Sequence, residues 1–194
     1  MAANPSQPEI WLIRHGETAW SLSGQHTGRT DLPLTEAGRK QAEGIGRALA
    51  GRQFALVLTS PLERARETCR LAGYGAAAQI DADLSEWDYG AYEGRTSQQI
   101  QESVPGWTIW TSPVPQGESI EQVAVRARRA IERASAAGGD VALFAHGHLL
   151  RILTACWLGL APDGGRFFAL STASVSVLGY ERETRVITRW NAAA

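Results

Sequence analysis

Short apolar runs of strand length alternate with longer segments that repeat apolar residues at helical spacing, and this alternation limits the possible folds most strongly. The runs lack a polar residue at every second position, so we expect strands that are buried on both faces. Buried strands separated by helices are typical of a mostly parallel sheet. The sequence therefore predicts an α/β protein, a three-layer α/β/α sandwich. The predicted strands are residues 9–13, 55–59, 141–145, 173–179 and 185–190.

Two of the predicted helices begin with recognisable start signals. Ser60, Pro61 and Glu63 stand in the order of an N-cap, a first-turn proline and a capping-box glutamate. Ser119 and Gln122 form a second capping pair, followed by a helix with one apolar face. The predicted helices are residues 35–50, 61–72, 97–103, 119–136 and 148–158.

The length of 194 residues suits one domain, since a chain of this size buries roughly 70% of the surface it exposes when unfolded. We expect one domain over residues 1–194, with residues 1–8 as a flexible N-terminal extension. Residues 180–184 join the last two strands in a hairpin at a sheet edge, and this edge is one route to a homodimer. The irregular region 81–115 contains three tryptophans and is predicted to be a partial lid, not a second domain.

Composition narrows the classes of function. A net charge of −1 argues against general nucleic-acid binding. No apolar stretch is long enough to span a bilayer, and residues 1–8 lack the basic-then-apolar pattern of a signal peptide. Cys69 and Cys156 lie in mostly apolar helical stretches, so we expect buried free thiols in a reducing compartment. These features predict a cytoplasmic protein without a membrane or nucleic-acid partner.

Three of the predicted strands lead into cationic or imidazole side chains. Arg14 and His15 follow the first, Arg64 lies in the first turn of the helix after the second, and His146 and His148 follow the third. Ligands of open α/β sheets bind beyond the carboxyl ends of the strands. If these strands are neighbours, the arginines and histidines converge near a helix N-terminus. The sequence therefore predicts a site for a phosphate dianion.

Each of these residues also has a simpler interpretation. A lone His15 is more often structural than catalytic, and Arg64 could lie on a solvated helix face, as we expect for Arg66 and Arg70. The histidine pair in residues 146–148 could instead bind a metal ion. No aspartate follows within that motif, however, and the nearest carboxylates are not at ligand spacing. We therefore expect no metal and no cofactor.

Four short motifs occur along the chain: LIRHGET at residues 12–18, SPLERARET at 60–68, EWDYGAYEG at 86–94 and AHGH at 145–148. Together they resemble the histidine phosphatase superfamily, which has the phosphoglycerate-mutase-like fold. The resemblance spans residues from about Ile10 to Tyr180. Residues 23–28, 107–110 and 116–119 are similar to its sedoheptulose-1,7-bisphosphatase branch and to small bacterial acid phosphatases.

The resemblance implies roles for five core residues. His15 would be the nucleophile that carries the phosphoryl group as a phosphohistidine. Neutral imidazole is nucleophilic near pH 7 when an acceptor holds its other nitrogen, and the backbone after His15 could supply that acceptor. Arg14, Arg64 and His146 match the positions that surround the phosphoryl oxygens. Glu86 matches the general acid, which protonates the leaving oxygen and then activates water.

The resemblance also implies residues that bind the rest of the substrate. Ser21 stands where many members have asparagine, and it can still donate one hydrogen bond to phosphate with a shorter reach. Asp88 is the second candidate for the acid. His148 matches no core position, so we expect it to shape the pocket or orient the helix start. The predicted substrate-binding residues are Ser21, Gln25, His26, Thr27 and Gly147.

The mutases of the superfamily carry a long insertion between the acid and the second histidine. Glu86 and His146 are only 60 positions apart, so this insertion is largely missing and water can reach the phosphohistidine. We therefore predict a phosphatase for small phosphorylated metabolites, in particular sugar phosphates and bisphosphates. A cofactor-dependent phosphoglycerate mutase is the alternative enzyme. A non-catalytic sensor of a phosphorylated ligand is the alternative outside catalysis, disfavoured because every matched core position is filled.

Overall fold

The computed structural model describes residues 7–193, which form one six-stranded sheet with helices on both faces. The strands are β1 (Ile10–Arg14), β2 (Leu56–Thr59), β3 (Ala78–Ile80), β4 (Val141–Ala145), β5 (Ser174–Glu181) and β6 (Thr184–Ala193). The helices are α1 (Ala19–Ser23), α2 (Glu36–Ala48), α3 (Glu63–Leu71), α4 (Ser97–Ser103), α5 (Ile120–Ser135) and α6 (Gly147–Trp157). The predicted flexible extension falls mainly on residues 1–6, which lie outside the described residues.

The strand order of the sheet is β3-β2-β4-β1-β5-β6. The β2–β3, β2–β4 and β1–β4 pairs are parallel, whereas the β1–β5 and β5–β6 pairs are antiparallel. The prediction of a mostly parallel sheet with a terminal hairpin at one edge is confirmed. Strand β3 and helix α1 were not predicted, because three and five residues are too few to show a periodic pattern.

Side chains of each central strand point alternately to two apolar cores, one on each face of the sheet. Ile10 and Leu12 of β1 pack in the core that contains the apolar faces of α5 and α6. Trp11 and Ile13 pack in the opposite core with Ile45 of α2. Burial on both faces explains why these strands read as uninterrupted apolar runs, and it confirms the three-layer sandwich.

All five predicted helices are present, with ends within two residues of the predicted ends. The capping box of Ser119 and Gln122 at the start of α5 is confirmed. The predicted cap of α3 is wrong. Leu62 is its N-cap residue, and the Glu63 N–H donates to the Asp31 carboxylate at 2.8 Å. The Ser60 hydroxyl accepts from the Leu62 N–H at 3.2 Å, one residue before the helix, and also lies 2.7 Å from Nε2 of His146.

The region predicted as a partial lid is more ordered than its sequence suggested. Two short 3-10 helices, at Ala82–Leu84 and Gly90–Tyr92, precede α4. Trp87 is fully buried in the core, whereas Trp107 and Trp110 face a surface cavity. The region therefore forms one wall of that cavity.

Two expectations from composition can be compared with the fold. Cys69 is buried and Cys156 is partly exposed, and both are free thiols. Within residues 7–193, no helix combines the length and the apolar character needed to cross a membrane.

Candidate active site

The carboxyl ends of β1, β4 and β2 lie side by side, as the sequence predicted for neighbouring strands. In the parallel register Arg14 pairs with Ala145, and the His15 N–H donates to the Ala145 carbonyl at 3.0 Å. The Ser60 N–H donates to the Phe144 carbonyl at 2.9 Å on the other side of β4. This register places His15 beside His146, with their ring centroids 5.1 Å apart.

A cavity of about 430 Å³ opens above these strand ends, within the usual range for small-molecule sites. All five predicted substrate-binding residues and three of the five predicted catalytic residues line it. Arg14, Arg151 and Glu86 are the charged residues of the lining. The lining residues are Arg14, His15, Ser21, Gly24, Gln25, His26, Thr27, Glu86, Tyr89, Ser97, Gln101, Trp107, Thr108, Ile109, Trp110, Gly147, His148, Arg151 and Leu170.

His15 is buried, and one of its ring nitrogens is fixed by the backbone. Nδ1 lies 2.7 Å from the carbonyl oxygen of Gly16, which can only accept, so Nδ1 carries the ring proton. Burial, together with the charges of Arg14 and Arg64, holds the pKa of His15 well below 6.5. The neutral ring therefore keeps an unprotonated Nε2. The predicted backbone acceptor for His15 is confirmed.

Arg14 brings a positive charge to the edge of the cavity. Its Nη1 donates to the Leu170 carbonyl, and its buried Nε has no hydrogen-bond partner within residues 7–193. Gly147 allows this placement, because a Cβ there would lie 3.2 Å from Cζ of Arg14. Arg14 thus retains an unused donor beside His15, where an anion could accept it.

Arg64 is completely buried and does not line the cavity. Its Nη1 and Nη2 donate to the carbonyls of Thr30, Thr27 and Gly28 at 2.9–3.0 Å. Its Nε donates to Nδ1 of His146 at 3.2 Å. The guanidinium therefore ties residues 27–30 to the third strand end, and it acts on His15 through its charge.

His146 is also fully buried behind the cavity wall. Because Nδ1 accepts from Arg64, the neutral ring carries its proton on Nε2, which lies 2.7 Å from the Ser60 hydroxyl. Burial, followed by the charges of Arg64 and other groups, holds the pKa of His146 well below 6.5. The structure thus brings His146 close to His15 without exposing it to the cavity.

Glu86 lines the cavity and caps α6 from a distant loop. Its Oε2 accepts from the His148 N–H at 3.0 Å, and its Oε1 accepts from the Leu149 N–H at 2.9 Å. Oε1 also accepts from the Trp87 N–H at 2.9 Å. A carboxylate at a helix N-terminus is favourable. Since His146, the N-cap residue, makes no side-chain cap, Glu86 supplies the acceptor.

Arg126 of α5 holds the loop that carries Glu86. Its guanidinium donates to the carbonyls of Asp83 and Ser85 at 2.8 and 2.9 Å. It also forms a two-pronged ion pair with Glu118, at 2.8 and 2.7 Å. Nothing in the local sequence marks Arg126, because its partners come from loops more than 30 positions away along the chain, apart from Glu118.

Asp88, the second candidate for the acid, does not line the cavity. Its Oδ2 pairs with Arg29 at 2.8 Å, and its Oδ1 accepts from the Gly90 N–H at 3.0 Å. Glu86 is therefore better placed for acid chemistry than Asp88.

The residues predicted to bind substrate line the cavity mouth, and several already have hydrogen bonds. The Ser21 hydroxyl donates to the Thr18 carbonyl at 3.0 Å, so it must break this bond to reach a phosphate. Gln25 donates to the Gly94 carbonyl at 2.7 Å. Burial lowers the pKa of His26 to about 4, which leaves its ring neutral. The loop therefore presents mainly neutral polar groups.

Tyr89 and Arg151 are among the lining residues that sequence reasoning missed. Arg151 lies three residues after His148 on α6, so helical spacing alone could have placed it on the same face. Its guanidinium stacks over the Trp110 ring at 4.4 Å. His148, which we expected to shape the pocket or to orient the helix start, lines the cavity. Within residues 7–193, no cluster of three or more metal-ligating side chains occurs.

The comparisons with known proteins agree with this geometry. The family model of the histidine phosphatase superfamily (branch 1) matches residues 10–193. This chain belongs to the histidine phosphatase superfamily. The resemblance drawn from the four motifs is thus confirmed, and with it the enzyme class of phosphoric monoester hydrolase.

Individual relatives carry both phosphatase and mutase names. An acid phosphatase of Mycobacterium tuberculosis is 43% identical over 91% of this chain and 88% of its own length. A sedoheptulose 1,7-bisphosphatase of Saccharomyces cerevisiae is 36% identical over 79% of this chain and 68% of its own length. A probable phosphoglycerate mutase of Klebsiella pneumoniae is 30% identical over 94% of this chain and 89% of its own length.

Solved structures show the same fold. The structure of an open reading frame from Mycobacterium tuberculosis has a TM-score of 0.91 and 40% identity, covering 96% of this chain and 98% of that chain. A mycobacterial glucosyl-3-phosphoglycerate phosphatase has a TM-score of 0.85 and 29% identity, covering 95% and 99%. These likenesses confirm the predicted phosphoglycerate-mutase-like fold.

Proposed function

We propose that this protein hydrolyses phosphomonoesters of small metabolites, in particular sugar phosphates and bisphosphates, through a phosphohistidine on His15. One observation carries the proposal: the bond of 2.7 Å from His15 Nδ1 to the Gly16 carbonyl. This bond leaves Nε2 unprotonated beside the cationic edge of the cavity. An unprotonated imidazole nitrogen facing a bound phosphate dianion is the nucleophile that such a reaction needs.

In the first step, Nε2 of His15 forms a bond to phosphorus while the bond from phosphorus to the ester oxygen breaks. Charge spreads over the three equatorial oxygens in the transition state, so catalysis depends on positioning and on positive charge. Arg14 supplies an unused Nε–H donor there. Arg64 and His146 lie behind the wall, where Arg64 supports the site through its charge and the Nε2–H of His146 holds the Ser60 hydroxyl.

Glu86 is the group we assign to proton transfer. In its protonated form it gives its proton to the departing ester oxygen, which leaves as an alcohol. The resulting carboxylate then takes a proton from water as the water oxygen attacks the phosphohistidine and releases inorganic phosphate. What supports this assignment is its place in the lining, where Glu86 is the carboxylate of the cavity.

Hydrolysis is favoured over mutase activity by the openness of the site to water. Only 60 positions separate Glu86 from His146, and the wall between them is formed by the short region with Trp107 and Trp110. The phosphatases among the relatives act on small phosphorylated compounds according to their names. Neutral polar groups at the cavity mouth fit the hydroxyl groups of a sugar.

The central test is transfer of the phosphoryl group to His15. The protein is mixed with p-nitrophenyl phosphate, quenched in alkali after milliseconds, and its intact mass is measured. We expect one phosphoryl adduct that is stable in alkali and lost in acid. His15→Asn should show no adduct, whereas His26→Asn, in the same cavity, should retain it. An adduct on His15→Asn, or full turnover by that variant, would refute the mechanism.

The two alternatives have their own readouts. For mutase activity, the protein is incubated with 3-phosphoglycerate and a bisphosphate primer, and formation of 2-phosphoglycerate is compared with release of inorganic phosphate. Predominant 2-phosphoglycerate would replace the phosphatase proposal. A sensor would give neither an adduct nor phosphate release with a broad panel of phosphorylated metabolites.

We further propose that residues 1–194 form a single domain and that the protein works in the cytoplasm. The second statement depends on the expected reduced state of Cys69 and Cys156. A homodimer through the edge of the terminal hairpin stays a prediction, to be checked by the molar mass in solution. The expected partner is a small phosphorylated metabolite.

A further inference from the structure

We propose that His148, oriented by Tyr89, determines specificity by donating a hydrogen bond to a hydroxyl group in the non-phosphate part of the substrate. This inference rests on the proposed phosphatase function and narrows its substrate class to polyhydroxylated phosphomonoesters. Tyr89 is a positioning residue, since its hydroxyl contacts Nδ1 of His148 and acts on the substrate through that ring.

The contact between the two side chains is short and defined. The Tyr89 hydroxyl lies 2.6 Å from Nδ1 of His148, and Tyr89 is 2% exposed. Burial and the nearby charge of Glu86 raise the pKa of Tyr89 well above 10, so the hydroxyl keeps its proton. No other partner of this hydroxyl occurs within residues 7–193, and a buried donor without an acceptor costs about 1–3 kcal/mol. Tyr89 therefore donates to Nδ1.

The direction of this bond fixes the tautomer of His148. Burial, followed by the charges of Arg151 and Arg14, holds the pKa of His148 well below 6.5, so the ring is neutral. A neutral imidazole has one N–H, and Nδ1 is the acceptor, so the proton is on Nε2. Nε2 makes no hydrogen bond within residues 7–193 and is not a buried atom. It therefore opens on the cavity as a free donor.

The groups around this donor suit a neutral, hydroxylated ligand. The His148 ring lies 5.2 Å from Trp110 and 5.9 Å from the neutral ring of His26. Trp107 lies 5.5 Å from His26 and closes the same part of the cavity. Aromatic faces can cover the C–H groups of a sugar, while the imidazoles meet its hydroxyls. Arg151 already donates two of its nitrogens to the carbonyls of Gly165 and Arg166.

The test compares two alkyl phosphates that both release a primary alcohol as the leaving group. Ribose 5-phosphate carries hydroxyls, whereas n-pentyl phosphate has none. We expect the wild type to prefer ribose 5-phosphate in kcat/KM. His148→Ala and Tyr89→Phe should each lose about ten-fold on ribose 5-phosphate, the worth of one hydrogen bond. The loss on n-pentyl phosphate should be several-fold smaller than the loss on ribose 5-phosphate in both variants.

Nitrogen NMR distinguishes a purely structural role of Tyr89 and His148 from the proposed role in substrate recognition. Long-range 15N–1H spectra should show the Nε2–H tautomer of His148 in the wild type and a changed tautomer population in Tyr89→Phe. The Nδ1–H tautomer in the wild type, equal losses on both esters, or a wild type without preference for ribose 5-phosphate would each overturn the proposal. Failure of the phosphatase function itself is recognised separately, by the absence of phosphate release from p-nitrophenyl phosphate.

Discussion

Arg64 donates its Nε–H to Nδ1 of His146 over 3.2 Å, so two residues expected at the phosphoryl group are bonded to each other. The bond orients the His146 ring and leaves its proton on Nε2. The remaining nitrogens of Arg64 bind three backbone carbonyls of residues 27–30. The buried Arg64 side chain therefore connects the loop of residues 27–30 to His146 at the end of β4.

Replacing Arg64 by lysine should lower both stability and activity. Lysine keeps the charge but has no planar fork, so it cannot serve three carbonyls and His146 together. Buried acceptors left without donors cost about 1–3 kcal/mol each, and we expect a loss of about 3 kcal/mol in the free energy of unfolding. Urea unfolding measures this. The matched control is Arg66→Lys, at an exposed position on the same helix, which should change stability by less than about 0.5 kcal/mol.

Glu86→Gln should slow the departure of poor leaving groups most. Without an acid, an alkyl phosphate should lose about a hundred-fold in kcat, whereas p-nitrophenyl phosphate, whose phenolate leaves unaided, should lose less than ten-fold. Glutamine also loses one of the bonds that cap α6, at a cost of about 1 kcal/mol. Steady-state kinetics with both substrates give the ratio. Asp88→Asn should leave this ratio unchanged. Equal losses on both substrates in Glu86→Gln would exclude Glu86 as the acid.

Gly147→Ala should weaken catalysis without weakening the fold. A Cβ at this position lies 3.2 Å from Cζ of Arg14, so the guanidinium must move by a few tenths of an ångström. Small displacements of groups that position the substrate reduce the rate strongly, and we expect about a ten-fold loss in kcat/KM. Gly164→Ala serves as the control, because a Cβ there meets Leu160 at an ordinary distance of 3.4 Å. Equal kcat/KM values for the two variants would contradict this role of Gly147.

Stability should decline as the pH falls below about 6.5. The pKa values of all four histidines are lowered in the folded chain, to about 4 for His26 and well below 6.5 for the others. Between these values and 6.5 the unfolded chain binds more protons, so the free energy of unfolding rises with pH and falls on acidification. Each histidine contributes up to about 1.4 kcal/mol per pH unit.

Urea midpoints at several pH values from 7.5 to 5 measure this slope. His26→Asn removes one of the four groups, so its slope should be about a quarter smaller. Identical midpoints at pH 7.5 and 5.5 would show that the histidines are accessible to protons in the folded protein.

Local pattern predicted much of this fold. Apart from β3 and α1, the strands and helices were expected within a few residues of their observed ends, because burial on one or both faces imposes a period that the sequence displays. The exceptions have physical reasons. Strand β3 has three residues, and the start of α3 depends on Asp31, which is 32 positions away from Glu63 in the chain. No local pattern reports such a partner.

The sequence by itself determined the chemistry that gathers at the strand ends, since the carboxyl ends of parallel strands meet at one edge of a sheet. It thereby placed Arg14, His15 and His146 together. Only the tertiary structure decided which atoms of these groups are free. The tautomers of His146 and His148 and the cap that Glu86 gives to α6 all depend on partners far apart in the chain. Hydrogen bonds of this kind follow from packing, which no periodic pattern encodes.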